Sequence, residues 1–139
     1  MKVYVAGSYS GRHRIAEEAS RLTELGFTVL SRWFDASNHV EKAWDDDFSG
    51  VVAQTMAEVD MYAIINADLL VLDTIDKSST GGSDTELGAA LMRSLLDKNI
   101  RVIHIGPYRN VFHTLARDHY DSWDAFMDHG TDYLYFRMD

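Results

Sequence analysis

Lys2-Val3-Tyr4-Val5-Ala6-Gly7-Ser8-Tyr9-Ser10-Gly11 passes from an apolar, β-branched run into a cluster of small residues, and this change sets the reading of the fold. Lys2 to Ala6 has the pattern of a strand, and the glycines and serines after it allow the chain to turn into a helix. That helix is predicted from about Arg12 to Leu25, with Ile15, Ala19, Leu22 and Leu25 on one face and Gly26 placed to end it. Phe27 to Leu30 follows as a second strand. The alternation then repeats. Val51 to Ala67 is a helix apolar over much of its circumference and hence expected to be largely buried, and Leu69 to Leu72 is a short apolar strand. A helix from about Asp84 to Asp97 has a core stripe of Leu87, Ala90, Leu91 and Leu95, and Ile100 to Ile105 is a strand stopped by Gly106-Pro107. Short helices near Val111 to Ala116 and Ser122 to Asp128 precede an aromatic tail, Tyr133 to Met138. Near-continuous apolar strands alternating with helices predict an α/β fold. The expected form is a small doubly wound parallel sheet, Rossmann-like or flavodoxin-like, with helices on both faces. Ligands in such sheets bind beyond the carboxyl ends of the strands, which directs attention to loops 7–11, 73–83 and 106–111.

Composition narrows the function classes. The chain has 139 residues, enough for one compact domain (1–139), with 22 acidic and 13 basic side chains and a net charge of −9. An acidic surface argues against a nucleic-acid polymer as partner, because phosphate contacts need clustered Lys and Arg. There is no cysteine, so disulfides, thiolate metal sites and cysteine nucleophiles are excluded. No apolar run approaches the ~20 residues of a membrane helix, so no membrane partner is expected. Met1-Lys2-Val3-Tyr4-Val5 runs straight into a strand without a signal-peptide layout, so a cytoplasmic protein is expected.

Several residues have both a structural and a chemical reading. Gly7, Ser8, Tyr9, Ser10 and Gly11 form either a tight turn with Ser10 as N-cap or a backbone cradle for an anion; the glycine spacing is not the dinucleotide fingerprint. Ser83-Asp84-Thr85-Glu86 fits a capping box, with Glu86 reaching back to the Ser83 amide. Alternatively Glu86, in the first helical turn, is held ionised by the helix dipole, as a carboxylate that attacks a sugar carbon must be. Asp60 interrupts an apolar stripe, since Met56, Ala63 and Ile64 are its helical neighbours, so it must be paired, hydrogen-bonded or raised in pKa. Asp73 ends a strand at the ligand edge, or caps a loop. His104 reads as a satisfied core histidine, and the six histidines have no metal spacing, so no metal is expected. Asp45-Asp46-Asp47 reads as a solvated loop charge. Trp33 and Phe34 either stack a flat base or pack.

Taken in order, Val3-Tyr4-Val5-Ala6-Gly7-Ser8, then Asp60 ahead of Ala67-Asp68, then Gly81-Gly82-Ser83-Asp84-Thr85-Glu86-Leu87-Gly88, this chain resembles the nucleoside 2-deoxyribosyltransferase family. The related deoxynucleoside 5′-monophosphate N-glycosidases share the pattern, which covers residues 1 to about 116. The resemblance implies a small doubly wound α/β sheet assembled as homodimers or higher homo-oligomers, without cofactor or metal. It implies that Glu86 attacks the anomeric carbon of a 2-deoxyribosyl group, that Tyr4 hydrogen-bonds and orients it, and that Asp60 assists departure of the nucleobase. Backbone around Gly7, Ser8, Tyr9 and Gly11 would line the sugar and phosphate side. Asn110 falls in a loop that family members often lend to a neighbouring subunit.

One departure bears on the substrate. Many transferases of free nucleosides have an aspartate six residues before the nucleophile; here that position is Thr80, beside Ser78 and Ser79. Hydroxyls donate to a phosphate that an aspartate would repel, and Arg12 or Ser10 would add to such a site; Gly82 is a further candidate substrate-binding residue. The expected substrate is therefore a nucleoside or its 5′-monophosphate, and the acceptor is another base or water. The C-terminal Tyr135-Phe136-Arg137-Met138-Asp139 has no clear family match. Two competing readings are a non-catalytic nucleotide-binding module, and a glycosidase acting on a ribonucleotide or a nicotinamide dinucleotide.

Overall fold

The structure, a computed structural model, describes residues 1–35, 51–77, 81–97 and 99–134. The acidic run Asp45-Asp46-Asp47, the hydroxyl residues Ser78, Ser79 and Thr80, and the last five residues lie outside the described residues. Five parallel strands form one sheet in the order β2-β1-β3-β4-β5: β1 Lys2–Gly7, β2 Thr28–Val29, β3 Leu69–Asp73, β4 Arg101–Ile105 and β5 Asp118–Tyr120. The helices are α1 Arg12–Glu24, α2 Val51–Asn66, α3 Gly82–Leu96 and α4 Trp123–Leu134, with single 3-10 turns at Tyr9–Gly11 and Val111–Leu115. This strand order is the flavodoxin-like form of the doubly wound sheet, so the expected fold class holds.

β3 and β4 are buried at every position, and Val3, Tyr4, Val5 and Ala6 of β1 are inaccessible, because helices cover both faces. α1 and α4 share one face and are bridged by Arg21 to Asp124 at 3.0 Å. α2 and α3 pack together on the other. There Arg93 of α3 donates to the Ile64 carbonyl at 2.9 Å and to the Ala67 carbonyl, neutralising the end of α2. Gly26, at φ 107°, ends α1: its N–H bonds to the Thr23 carbonyl and that of Phe27 to the Leu22 carbonyl.

Four expectations change. β5 has no apolar run, because a short edge strand needs only backbone pairing to β4; His104 pairs with His119 and Ile105 with Tyr120. The last helix starts one residue later than expected and continues to Leu134. α2 is not largely buried: Val59, Tyr62 and Ile65 are more than half exposed, since one sheet face and one neighbouring helix cover only part of its circumference. Leu95 likewise leaves the expected core stripe of α3 and is exposed, whereas Leu87 and Ala90 are buried.

Register places the site. Gly7 pairs with Asp73, and Asp73 with Ile105, so the three central strands end at one level and their outgoing loops gather at one edge. β1 and β3, whose connections leave in opposite directions, form the switch point there.

Candidate active site

Tyr4 lies in the middle of β1, is fully buried, and donates its hydroxyl to Glu86 Oε2 of α3. Asp60 of α2 faces the same hydroxyl and interacts with it. One phenol thus joins two carboxyl groups supplied by the two helices on this face. Burial pushes Glu86 up to about 8; the Tyr4 hydrogen bond lowers it only partly, and the Asp60 charge raises it further. Burial likewise pushes Asp60 up to about 6 against a lowering by Tyr4. Tyr4 is driven far above the ordinary tyrosine range, first by burial and then by Glu86 and Asp60, so it remains a phenol and a donor. Two carboxyl groups sharing an enclosed hydroxyl titrate as a unit, and near neutrality the pair retains a proton.

This overturns two local expectations for Glu86. No capping box forms: the N-cap of α3 is Gly81 in the left-handed region (φ 81°) with no side-chain cap, and Glu86 turns inward to Tyr4 rather than back to Ser83. Glu86 is the fifth residue of α3, beyond the reach of the helix dipole, so desolvation decides its charge and holds it protonated rather than ionised. The acidic residue in the first turn is Asp84.

The first loop is built on close packing. Ser8, not Ser10, caps the 3-10 turn, accepting from the Ser10 amide at 3.3 Å, and Gly11 precedes α1 without a side-chain cap. Ser8 also donates to the Lys77 carbonyl at 3.3 Å, tying this loop to the one after β3. A Cβ on Gly7 would stand 2.5 Å from Ile15 Cδ1, and one on Gly11 would stand 2.2 Å from Asp76 Oδ2, so both glycines answer protein neighbours. Arg12 lies over the Tyr9 ring, 4.2 Å from its centroid, and donates to the Tyr9 carbonyl.

Other candidates separate from the carboxyl pair. Trp33 donates its indole N–H to the Val5 carbonyl at 2.7 Å and meets Phe34 edge-on; with only 9% exposure it packs rather than presents a stacking face. Asp73 receives Arg14 at 2.7 and 3.0 Å, the Trp123 indole at 2.7 Å and the Ile75 amide at 2.9 Å. Four donors saturate it, which makes it a structural tie and a loop cap. Asp73→Ala is expected to cost about 3 kcal/mol in urea unfolding, because Arg14 and Trp123 are left with unmatched donors. His104 is fully buried, held well below the usual histidine range at about 4 by burial and by His113 and His119, and bonded through Nε2 to Thr74 Oγ1 at 2.7 Å. Its Nδ1 has no hydrogen-bond partner among the described residues, so it is only half satisfied. Gly82 opens α3 in open space, and Asn110 caps the second 3-10 turn by accepting from the Phe112 amide at 2.9 Å. Arg14, Asp84, Arg109 and His113, which organise the loops around the site, give no sequence signal for the bonds that join different loops, because those span 26 to 62 positions. Among the described residues, no group of three or more His, Cys, Asp or Glu side chains has the geometry to hold a metal ion. No described helix is long and apolar enough to cross a membrane.

No protein-family model matches the chain, and no curated protein matches it by sequence. Solved structures do. A 2-deoxyribosyltransferase from the psychrotolerant bacterium Bacillus psychrosaccharolyticus superposes with a TM-score of 0.68 at 18% identity, over 90% of this chain and 89% of that one. The Clostridium botulinum CMP N-glycosidase BcmB superposes with a TM-score of 0.57 at 18% identity, over 96% of this chain and 98% of that one. Over nearly its whole length, then, the chain has the fold of these two enzymes.

Proposed function

We propose that the protein is an enzyme that cleaves the N-glycosidic bond of a 2′-deoxynucleoside or its 5′-monophosphate. The observation that carries this reading is the convergence of Glu86 and Asp60 on the Tyr4 hydroxyl, in a fold shared with a 2-deoxyribosyltransferase and a CMP N-glycosidase. The pair's one proton rests mainly on Glu86, and the reactive arrangement is the one in which it has passed to Asp60; there, in the first step, ionised Glu86 attacks the anomeric carbon. The carbon–nitrogen bond breaks, its electron pair leaves with the base, and protonated Asp60 supplies the base with a proton. In the second step another base or water attacks the same carbon, the Glu86 ester bond breaks, and the attacking group's proton returns to Asp60. Two inversions give net retention. Tyr4 holds the Glu86 carboxyl in one orientation throughout.

The competent state carries one proton on the pair. Activity is therefore expected to follow a bell, rising through about 6 as the first proton leaves and falling through about 8 as the second does. A pH profile of kcat/KM measures both limbs, and a flat profile between 5 and 9 would remove the carboxyl pair from the mechanism.

The substrate and acceptor are tested by chromatography of free base released from a panel of deoxynucleosides, deoxynucleoside 5′-monophosphates and matched ribonucleotides, with and without a second base. The hydroxyl residues Ser78, Ser79 and Thr80 favour the 5′-monophosphates, because hydroxyls donate to a phosphate that an aspartate would repel. Silence across the panel would refute the enzymatic reading in favour of a binding module.

A homodimer or higher homo-oligomer is part of the proposal. Val59, Tyr62 and Ile65 on α2 and Met92, Leu95 and Leu96 on α3 are all more than half exposed on two adjoining helices, an apolar face of the kind that marks an interface. Sedimentation is expected to give a multiple of 15.8 kDa, and Leu95→Glu to shift it toward the monomer.

A further inference from the structure

We infer that His113 is a positioning residue for Glu86: through Asp84 it holds the otherwise uncapped first turn of α3 and so sets where the Glu86 carboxyl stands against Tyr4. The inference rests on the reading of Glu86 as nucleophile for its functional meaning, but its geometry is independent of that reading.

The start of α3 is locally weak. Gly81 and Gly82 are both exposed, no side chain among the described residues caps the helix, and a Cβ at either glycine would meet nothing within 4 Å. A glycine pair at an uncapped helix start has high conformational freedom, and Glu86 lies just one turn farther along. Restraint comes from the loop after β4. The Arg109 amide donates to His113 Nδ1 at 3.1 Å, so that nitrogen is unprotonated and the proton of the neutral ring sits on Nε2. Nε2 faces Asp84 Oδ1 at 3.0 Å and donates to it, while Asn110 Nδ2 donates to the other Asp84 oxygen at 3.3 Å. His113 is buried, at 3% exposure, whereas Asp84 is exposed; the histidine is the fixed member of the pair.

The same loop grips the other end of the connection between β3 and α3. Arg109 donates to the carbonyls of Thr74 at 2.8 Å and Ile75 at 3.0 Å, and Thr74 Oγ1 donates to the Pro107 carbonyl at 2.6 Å. Gly106, at φ 110°, permits this contact, since a Cβ there would stand 2.9 Å from Thr74 Oγ1 and 3.0 Å from the Ile75 amide. Residues 106–113 therefore staple both ends of the segment that leads into Glu86. The titratable and charged groups around the staple are Asp84, His104, Tyr108, Arg109, His113 and His119, and those facing Glu86 are Tyr4 and Asp60.

Two amide substitutions separate the bonds His113 makes. In His113→Gln the side-chain nitrogen falls near Nε2 and keeps the bond to Asp84. In His113→Asn the side-chain oxygen falls near Nδ1, keeping the Arg109 amide bond but losing Asp84. The primary measurement is the NMR titration of the 13C-labelled Glu86 carboxyl, identified by its absence in Glu86→Gln, in wild type and both variants. Loosening the turn admits water, so His113→Asn is expected to lower the Glu86 midpoint by roughly one unit or more, while His113→Gln leaves it within a few tenths. Turnover of the released-base assay is expected to fall on the order of tenfold in kcat for His113→Asn with KM within about twofold, and to be restored in His113→Gln. An unmoved Glu86 midpoint in a folded His113→Asn protein, or equal shifts in both variants, would overturn the inference. Should Glu86→Gln itself keep full turnover, the nucleophile reading fails, and the titration still decides the positioning role.

Discussion

Glu86→Gln is expected to abolish base release, by roughly 10³-fold or more, while making the protein more stable at neutral and alkaline pH. The amide keeps the shape of the side chain and still accepts from the Tyr4 hydroxyl, but it cannot form the ester on which both displacements depend. The stability gain follows from linkage. The Glu86 carboxyl is raised from its ordinary 4.5 to about 8 in the folded protein, so between those values the native state holds a proton that the unfolded chain releases. Its stabilising share is complete below about pH 4.5 and is lost as pH rises through 8. Glutamine removes that dependence. Thermal melts of the two proteins should coincide near pH 4.5 and separate by roughly 10–15 °C at pH 8, the effect of about 4 kcal/mol in a domain of this size. Equal melting temperatures at pH 8 would mean that Glu86 is not enclosed as the geometry indicates, and retained turnover would end its assignment as nucleophile.

Asp60→Asn is expected to lower kcat by about 10²–10⁴-fold, the range for loss of a positioned proton donor. The effect should depend on the leaving group. A base that departs readily as an anion needs little help, so the penalty shrinks for such substrates and is largest for the poorest leaving groups. A residue that only shaped the pocket would lower all substrates alike. The substitution also removes a charge that raises Glu86, so the remaining ionisation should move below its wild-type position near 8. Comparing kcat across a series of substituted bases, together with the pH profile, measures both effects. A uniform loss with an unchanged profile would make Asp60 a packing residue.

Both predictions depend on a pair that the sequence indicates unevenly. Asp60 stands out by itself, because a carboxylate inside an apolar helical stripe needs a special environment. Glu86 does not; its local spacing fits a capping box equally well, and the resemblance to a known family separates it from that reading. Even then, its charge state is not a local property. The start of α3 at Gly82 moves Glu86 out of the first turn, and the packing of β1, α2 and α3 removes water from around it, so burial outweighs the dipole.

What the sequence determines by itself is the order of elements and the sheet. The apolar runs of β1, β3 and β4 cannot be buried on both faces except under helices on either side, and the glycines of the strand-to-helix turns set the loops at one edge. What only the tertiary structure decides is every relation between distant residues. β5 exists because β4 offers it an edge, since its own side chains have no strand pattern. Asp73 is spent on Arg14 and Trp123, Trp33 on the Val5 carbonyl, and Asp84 on His113, because each partner is brought near by the sheet rather than by spacing along the chain. The physical reason is common to all of them. Periodicity reports which side chains leave water, whereas pKa values, hydrogen-bond partners and the shape of a site depend on which ones meet after they have left it.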